Sequence, residues 1–593
     1  MNSKPTYLGK VISVSGSSVN IELTPRVRSG LLMIEGKAHR IGQVGSFVRI
    51  PQGYNNLFGL ISETTDTSTD PELQNLSAER RVIKVELIGE SIGSDFERGI
   101  SQYPSIYDEV HLVTESDLKT IYGHNDVGQV KIGKLSTSDS IDVSIDLDKL
   151  VNRHSAVLGS TGAGKSTSVS SLLRSIVHKP DGEVKTPSAR IILFDLHGEY
   201  SSALSGISQV FSVMPSKGEN SLIIPYWCVA PERLIDFLCG FANDSLKNKF
   251  IELIISEKQL FVEKNNQLGI DKDKITQYTP IPFDLRKIWG ELCFEDKVTW
   301  LDKDKEKPAF VDGEEGNYSN LTPPKFQPPG HGNSAPFRGG SHSWHKQLEL
   351  MRTRLLDRQY DFFLSPNEWS LSKDNTLKKD ISELIYQWVG NENPITIIDL
   401  SLLPSERLDL ILGSLLDILF ESALWGRNHD EGMKTYPLLL VMEEAHRYLS
   451  SDSNGLAKNM VRRIAKEGRK FGVGSMLVSQ RPSEIDETIL SQCGTLFSLR
   501  ISNATDRSRV KAAMSDGLSG IVDSLPILRT GEAIVTGEAA RLPMRFKFNL
   551  PREGQYPNSS DPNVSENWAK EWEALSFDKL THSWRTQNPM KNR

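Results

Sequence analysis

The chain is 593 residues long and carries a formal net charge of −7, with 69 Lys and Arg against 76 Asp and Glu. That length exceeds one hydrophobic core and implies roughly three or four structural units, while the acidic balance argues against coating of nucleic acid through overall positive charge. The four cysteines, Cys228, Cys239, Cys293 and Cys493, are scattered without a CxxC pair, which suits a reducing compartment. No apolar run is long enough for a bilayer span, and Met1-Asn2-Ser3-Lys4-Pro5 leads into no signal-peptide core, so a soluble, cytoplasmic chain without a membrane partner is expected.

From the N-terminus, short runs such as Val11-Ile12-Ser13-Val14, Val19–Leu23, Phe47–Ile50 and Val82–Leu87 alternate apolar and polar residues between Gly and Ser. This predicts a small β-barrel over 1–92. A linker region over 93–150 follows. At Ala156-Val157-Leu158 a buried strand runs into Gly159-Ser160-Thr161-Gly162-Ala163-Gly164-Lys165-Ser166-Thr167, and Val169, Leu172, Leu173, Ile176 and Val177 then recur at helical spacing. Strand, loop and helix in this order form a phosphate-binding loop. Its glycines turn backbone N–H groups toward a β-phosphate, Lys165 reaches the β/γ oxygens, and Ser166 offers a hydroxyl to Mg²⁺. The expected ligand is a nucleoside triphosphate.

The strand Ile191–Phe194 carries Asp195 and Glu199 just beyond its end. Their acids could place water or Mg²⁺ at the nucleotide, or be satisfied loop carboxylates. His197 and His446 have no Cys or His neighbours at ligand spacing, so neither is read as a metal ligand. The first core segment spans 151–228. Walker A and the acids described next stand roughly 280 residues apart, more than a minimal core needs, and helical patterns mark an insertion over 229–392. Lys, Glu, Pro, Gly and Ser dominate 301–345, which is read as a flexible loop. Ile395–Leu400 resumes the core, whose second part runs over 393–550.

Leu438-Leu439-Leu440-Val441-Met442 ends in Glu443-Glu444, the pattern of a Walker B strand. Glu443 sits where the second shell of Mg²⁺ is held, and Glu444 where the attacking water is oriented or deprotonated. Leu456, Met460, Val461 and Ile464 mark a helix face opposite Arg462, Arg463, Lys466, Arg469 and Lys470. Such a charge run is a solvated face unless an arginine serves a neighbouring subunit's γ-phosphate, and Arg469 is the candidate. Arg153, just ahead of the P-loop strand, is a second cation expected near the nucleotide. The strand Val473–Ser479 closes on Gln480, a candidate sensor beside Glu444. The tail over 551–593 carries Trp568, Trp572 and Trp584 and is read as able to lie across a neighbouring subunit.

Arg153–Gly162, Phe194–Tyr200, Glu443–His446, Glu467–Lys470, Ser479–Pro482 and Gly531–Glu538, in this order, resemble the HerA branch of the HerA/FtsK ATPases. The resemblance implies an α/β fold with a RecA-like P-loop NTPase core, and an N-terminal barrel of the kind shared with rotary ATP synthase subunits. It further implies a homohexameric ring around a channel and ATP-driven translocation on double-stranded DNA. By motif position it assigns Lys165 and Ser166 to nucleotide and Mg²⁺, Glu444 to catalysis, Gln480 to sensing, and Arg153 and Arg469 to phosphate contact, without saying which arginine acts across the interface. Lysines and arginines confined to a channel are compatible with an acidic exterior, because screening limits their field to about 10 Å. Arg352, Arg354 and Arg358, and Arg507, Arg509 and Lys511, are either channel contacts or ordinary helix surface.

Two function classes follow. One is a DNA motor feeding an associated effector, a nuclease or a sirtuin-like protein, in DNA end processing or antiphage defence. The other is a nucleotide-regulated hexameric scaffold that assembles and activates such an effector with little translocation. The chain lacks the Asn-Lys-x-Asp motif of GTPases and the Leu-Ser-Gly-Gly-Gln signature of transporter ATPases.

Overall fold

The computed structural model describes residues 5–586 apart from 28–30, 35–36, 41, 67–80, 94, 123–127, 137, 179–184, 266–267, 332–333, 340–341, 373, 453, 515–521, 560–562 and 572–575. Trp572 therefore lies outside the described residues.

The alternating N-terminal runs form antiparallel strands that close on themselves. In ring order they are Ser18–Leu23, Tyr7–Ser15, Glu109–Leu112, Phe47–Gln52, Asn55–Asp66 and Arg81–Ile92, the last pairing back to the first. Leu8, Val11, Ile21, Val48, Ile50, Ile83, Val85 and Val110 fill the interior of this six-stranded barrel. Closure removes the unpaired edges that an open sheet of this size would expose.

The stretch 93–150 is more than a linker. Glu109–Leu112 supplies a barrel strand, and Gln129–Leu135 and Ser138–Asp146 join the core sheet. The latter two form a hairpin, and Gln129–Leu135 docks it on Met544–Phe548, more than four hundred residues away in sequence.

The core is one twelve-stranded sheet. Eight of its strands are parallel, in the order Thr495–Ser498, Ser155–Leu158, Val473–Ser479, Leu438–Met442, Arg190–Asp195, Ile395–Asp399, Ser208–Ser212 and Asn220–Ser221. Glu532–Gly537, Met544–Phe548 and the two strands from 129–146 extend it antiparallel. Apolar residues run unbroken through the central strands because both faces are covered. Leu438, Leu440 and Met442 enter the core beneath the helices Ser405–Trp425 and Leu456–Phe471, while Leu439 and Val441 enter the one beneath the P-loop helix Lys165–Val177.

The insertion is helical, with Pro231–Cys239, Asp244–Lys264, Leu285–Lys297 and His345–Leu356 as its longer helices. Trp227, Trp289, Trp344 and Trp388 bury it in the same core as the first set of helices. The described part of 301–345, expected to be a flexible loop, is tied down by a Thr299–Trp300/Phe337–Arg338 pair and by Phe294, Phe310 and Phe326 packed ring to ring. Prolines and glycines shape its turns, and the aromatics hold them. Among the described residues no helix is long and apolar enough to cross a membrane.

Candidate nucleotide site

The P-loop leaves the Ser155–Leu158 strand between the Val473–Ser479 and Thr495–Ser498 strands. Gly164 caps the following helix at φ 89°, in the left-handed region where only glycine is unstrained. Gly159, at the loop's start, donates its N–H to Ser479 O at 3.2 Å. Lys165 lies beneath the loop, donating to Ser160 O at 3.3 Å. Burial pulls its ammonium below the ordinary lysine range, against the opposing pull of Glu444, Glu443 and Glu199.

Parallel strands bring the predicted acids to the same edge. Glu443 is buried and accepts the Leu196 N–H at 3.3 Å. Burial, with Asp195 and Glu199 nearby, pushes its carboxyl well above the usual range. Tyr448 donates its hydroxyl to Glu443 O at 2.9 Å and fixes the strand end. Glu444 turns sharply away at φ 45°, a left-handed conformation that costs a non-glycine residue roughly 1–2 kcal/mol. Its Oε2 is buried and has no hydrogen-bond partner among the described residues. A carboxylate oxygen with free lone pairs beside a phosphate loop is suited to accept a proton from water.

Asp195 and Glu199 separate. Asp195 Oδ1 accepts the N–H groups of His197 and Gly198 at 3.1 and 2.7 Å, and Oδ2 accepts that of Tyr200 at 2.9 Å. Asp195 thus builds its own loop, as a satisfied loop carboxylate does. Glu199 is half-buried and near enough to Lys165 and Glu443 to shift both. Gln480 reaches the P-loop through Thr161, whose Oγ1 donates to Gln480 Oε1 at 2.6 Å.

The two arginines do not join them. Arg153 pairs with Glu538 at 3.5 Å, and its carbonyl accepts the Gly494 N–H. It stands before the first residue of the P-loop strand, about 20 Å from the loop at roughly 3.3 Å per residue. The expectation that it lies near the nucleotide of its own chain fails, because a strand separates them. Arg469 is exposed in the last turn of Leu456–Phe471, which enters the Val473–Ser479 strand at that same far edge. Neither arginine reaches the phosphates bound by its own chain.

The other basic clusters are held locally. Arg352 donates to Leu321 O, Arg354 lies over the Phe237 ring, Arg507 donates to Ser502 O and Arg509 pairs with Glu487. The beginning of the tail packs on its own core: Ser171, Ser202 and Glu199 bond the backbone of Asn549, Tyr556 and Asn558. Trp568 and Trp584 are exposed.

Four residues at the site were given no role in the sequence reading, which set His197 and His446 aside as metal ligands. His446 Nδ1 lies 3.1 Å from Glu444 Oε2, and His197 Nε2 lies 3.9 Å from Oε1. Arg500, two residues past the Thr495–Ser498 strand, donates to Gly162 O at 3.0 Å. Tyr200 is fully buried, and its phenol is pushed well above the ordinary range by burial and then by Glu443 and Asp195. The available signal was position, since all four follow the C-terminal end of a core strand.

The profile described as Helicase HerA, central domain, matches residues 130–419. The resemblance to HerA proteins read from the motifs is borne out by this match and by the relatives that follow. It is similar to the DNA double-strand break repair helicase HerA of Sulfolobus acidocaldarius, at 29% identity over 476 residues that cover 79% of this chain and 78% of that protein. A protein of the same description from Pyrococcus furiosus is 25% identical over 503 residues, covering 78% and 77%. Among solved structures, VirB4 of Thermoanaerobacter pseudethanolicus aligns with a TM-score of 0.44 at 13% identity, covering 73% of this chain and 99% of that one.

The site fits ATP with Mg²⁺. Among the described residues no three His, Cys, Asp or Glu side chains form a metal cage. Mg²⁺ in a P-loop site does not need one, since it takes one or two protein oxygens and fills its shell with phosphate and water. Ser166, in the first helical turn, and Glu443, whose carboxyl is buried among other acids, are the residues that would hold it.

Proposed function

We propose that the chain is the ATP-hydrolysing subunit of a homohexameric ring that translocates on or unwinds double-stranded DNA. In this reading Lys165 and Ser166 bind the Mg²⁺-nucleotide, Glu444 is the general base, and Gln480 senses the γ-phosphate. The observation that carries it is the buried Glu444 Oε2 on the P-loop edge of the sheet, which accepts no hydrogen bond among the described residues. Arg153 and Arg469 at the opposite edge support the ring, because the phosphates open to them are a neighbour's. Relatives described as DNA double-strand break repair helicases support DNA as the track. The N-terminal barrel is the docking site for an effector, a nuclease or a sirtuin-like protein, in DNA end processing or antiphage defence.

The test is the ATPase rate against added linear duplex DNA, for the wild type and Glu444→Gln, with ring size from light scattering. A hexamer stimulated by DNA, with turnover lost in the variant, supports the motor. A hexamer indifferent to DNA would replace it with the scaffold reading.

A further inference from the structure

The catalytic carboxylate is flanked by an imidazole that the mechanism above leaves without a role. His446 is two residues beyond Glu444, in the short turn Ala445–Arg447, and its side chain is 10% exposed. Its Nδ1 stands 3.1 Å from Glu444 Oε2 and 3.3 Å from Ser479 Oγ. Ser479 ends the strand that delivers Gln480, and its Oγ also accepts the Arg481 N–H at 3.1 Å. The acid strand and the sensor strand therefore meet at one imidazole.

The proton on this ring can be assigned from its surroundings. A lone pair on Nδ1 would face the carboxylate at 3.1 Å, so the proton sits on Nδ1. The N–H bonds to Ser479 Oγ, and the hydrogen-bonding capacity of Glu444 Oε2 stays unused. The ring thus attracts the carboxylate without occupying the lone pairs that a water would need. Glu444 also needs an external hold, because its left-handed backbone is strained.

We propose that His446 is a positioning residue that fixes the Glu444 carboxylate against the end of the sensor strand through Ser479. It touches neither nucleotide nor water and acts through Glu444. The inference rests on reading Glu444 as the general base. A base displaced by about an ångström forfeits on the order of 10²-fold in rate while substrate binding survives.

The experiment measures kcat and KM for ATP in full-length wild type, His446→Ala, His446→Asn and Glu444→Gln, with ring size and melting temperature recorded for each. The expected result for His446→Ala is a kcat about 10²-fold lower, with KM changed by less than about threefold, as uniform binding is untouched. His446→Asn places an amide N–H near the position of Nδ1 and should recover about tenfold of that loss.

Wild-type kcat in His446→Ala, or equal losses in Ala and Asn at an intact ring, would overturn the inference, the second result meaning packing only. If His446→Ala does not assemble, His446→Asn decides: near wild-type kcat supports positioning, and a loss as deep as in Glu444→Gln refutes it. Normal turnover in Glu444→Gln would instead remove the base reading on which the inference stands.

Discussion

Thr161 in the P-loop and Gln480 at the end of the neighbouring strand share a 2.6 Å hydrogen bond. If Gln480 is the γ-phosphate sensor, nucleotide has to compete for this bond or reorganise it. Gln480→Ala should lower kcat about 10- to 10²-fold, the range of a lost transition-state hydrogen bond, and leave KM for ATP within about threefold. Steady-state ATPase assays decide it. A raised KM at unchanged kcat would make Gln480 a binding residue and not a sensor.

Arg469→Ala should reduce turnover by about 10³-fold if the arginine completes a neighbour's site. Rings mixed from Arg469→Ala and Lys165→Ala subunits should then regain activity at interfaces where an intact Arg469 faces an intact P-loop. The same mixing with Arg153→Ala ranks the two arginines. Activity that simply averages the two parents would dismiss action across the interface.

What the sequence disclosed and what it hid divide along the range of the interactions. The P-loop and the paired acids were legible because each is a strand end followed by its own turn, and a few adjacent residues specify both. The strand at 109–112 and the docking of the 129–146 hairpin on the core sheet were not, since their partners lie on distant strands and their own composition resembles a linker. Arg153 misled because closeness in sequence to the P-loop is separation in space when a strand intervenes. His446 was dismissed for lacking metal-ligand neighbours, whereas its partner is a carboxylate two residues back and a hydroxyl on the next strand.

Gly164→Ala should abolish ATP binding without unfolding the chain. A Cβ there would stand 3.2 Å from Gly531 N and 3.3 Å from Thr530 Cγ2, at a φ of 89°. Both effects push the start of the P-loop helix out of place, at a local cost on the order of 1–3 kcal/mol, small beside the core. Fluorescent-nucleotide titration should show the loss, and the melting temperature should move by only a few degrees. Tight binding in this variant would mean that the loop remodels before nucleotide enters.

Asp417 supplies a pH-dependent test of the core that carries the Walker B strand. Burial in the helix Ser405–Trp425, helped by Glu421 and opposed by Arg463, raises its carboxyl to about 6. A carboxyl raised in the folded state contributes stability that is present below its unfolded value near about 4 and is lost as pH rises through the folded value. The ionised form at neutral pH is therefore a liability that Asp417→Asn removes. The variant should match the wild type at the acid end of that window. Above about pH 7 it should exceed it by on the order of 1–3 kcal/mol, the upper end being the full cost of ionising a carboxyl raised that far. Thermal melts of both proteins from about pH 4.5 to about pH 8 would show a gap that opens with pH. A gap of constant size would mean that the wild-type carboxyl is already ionised throughout, with Arg463 outweighing burial.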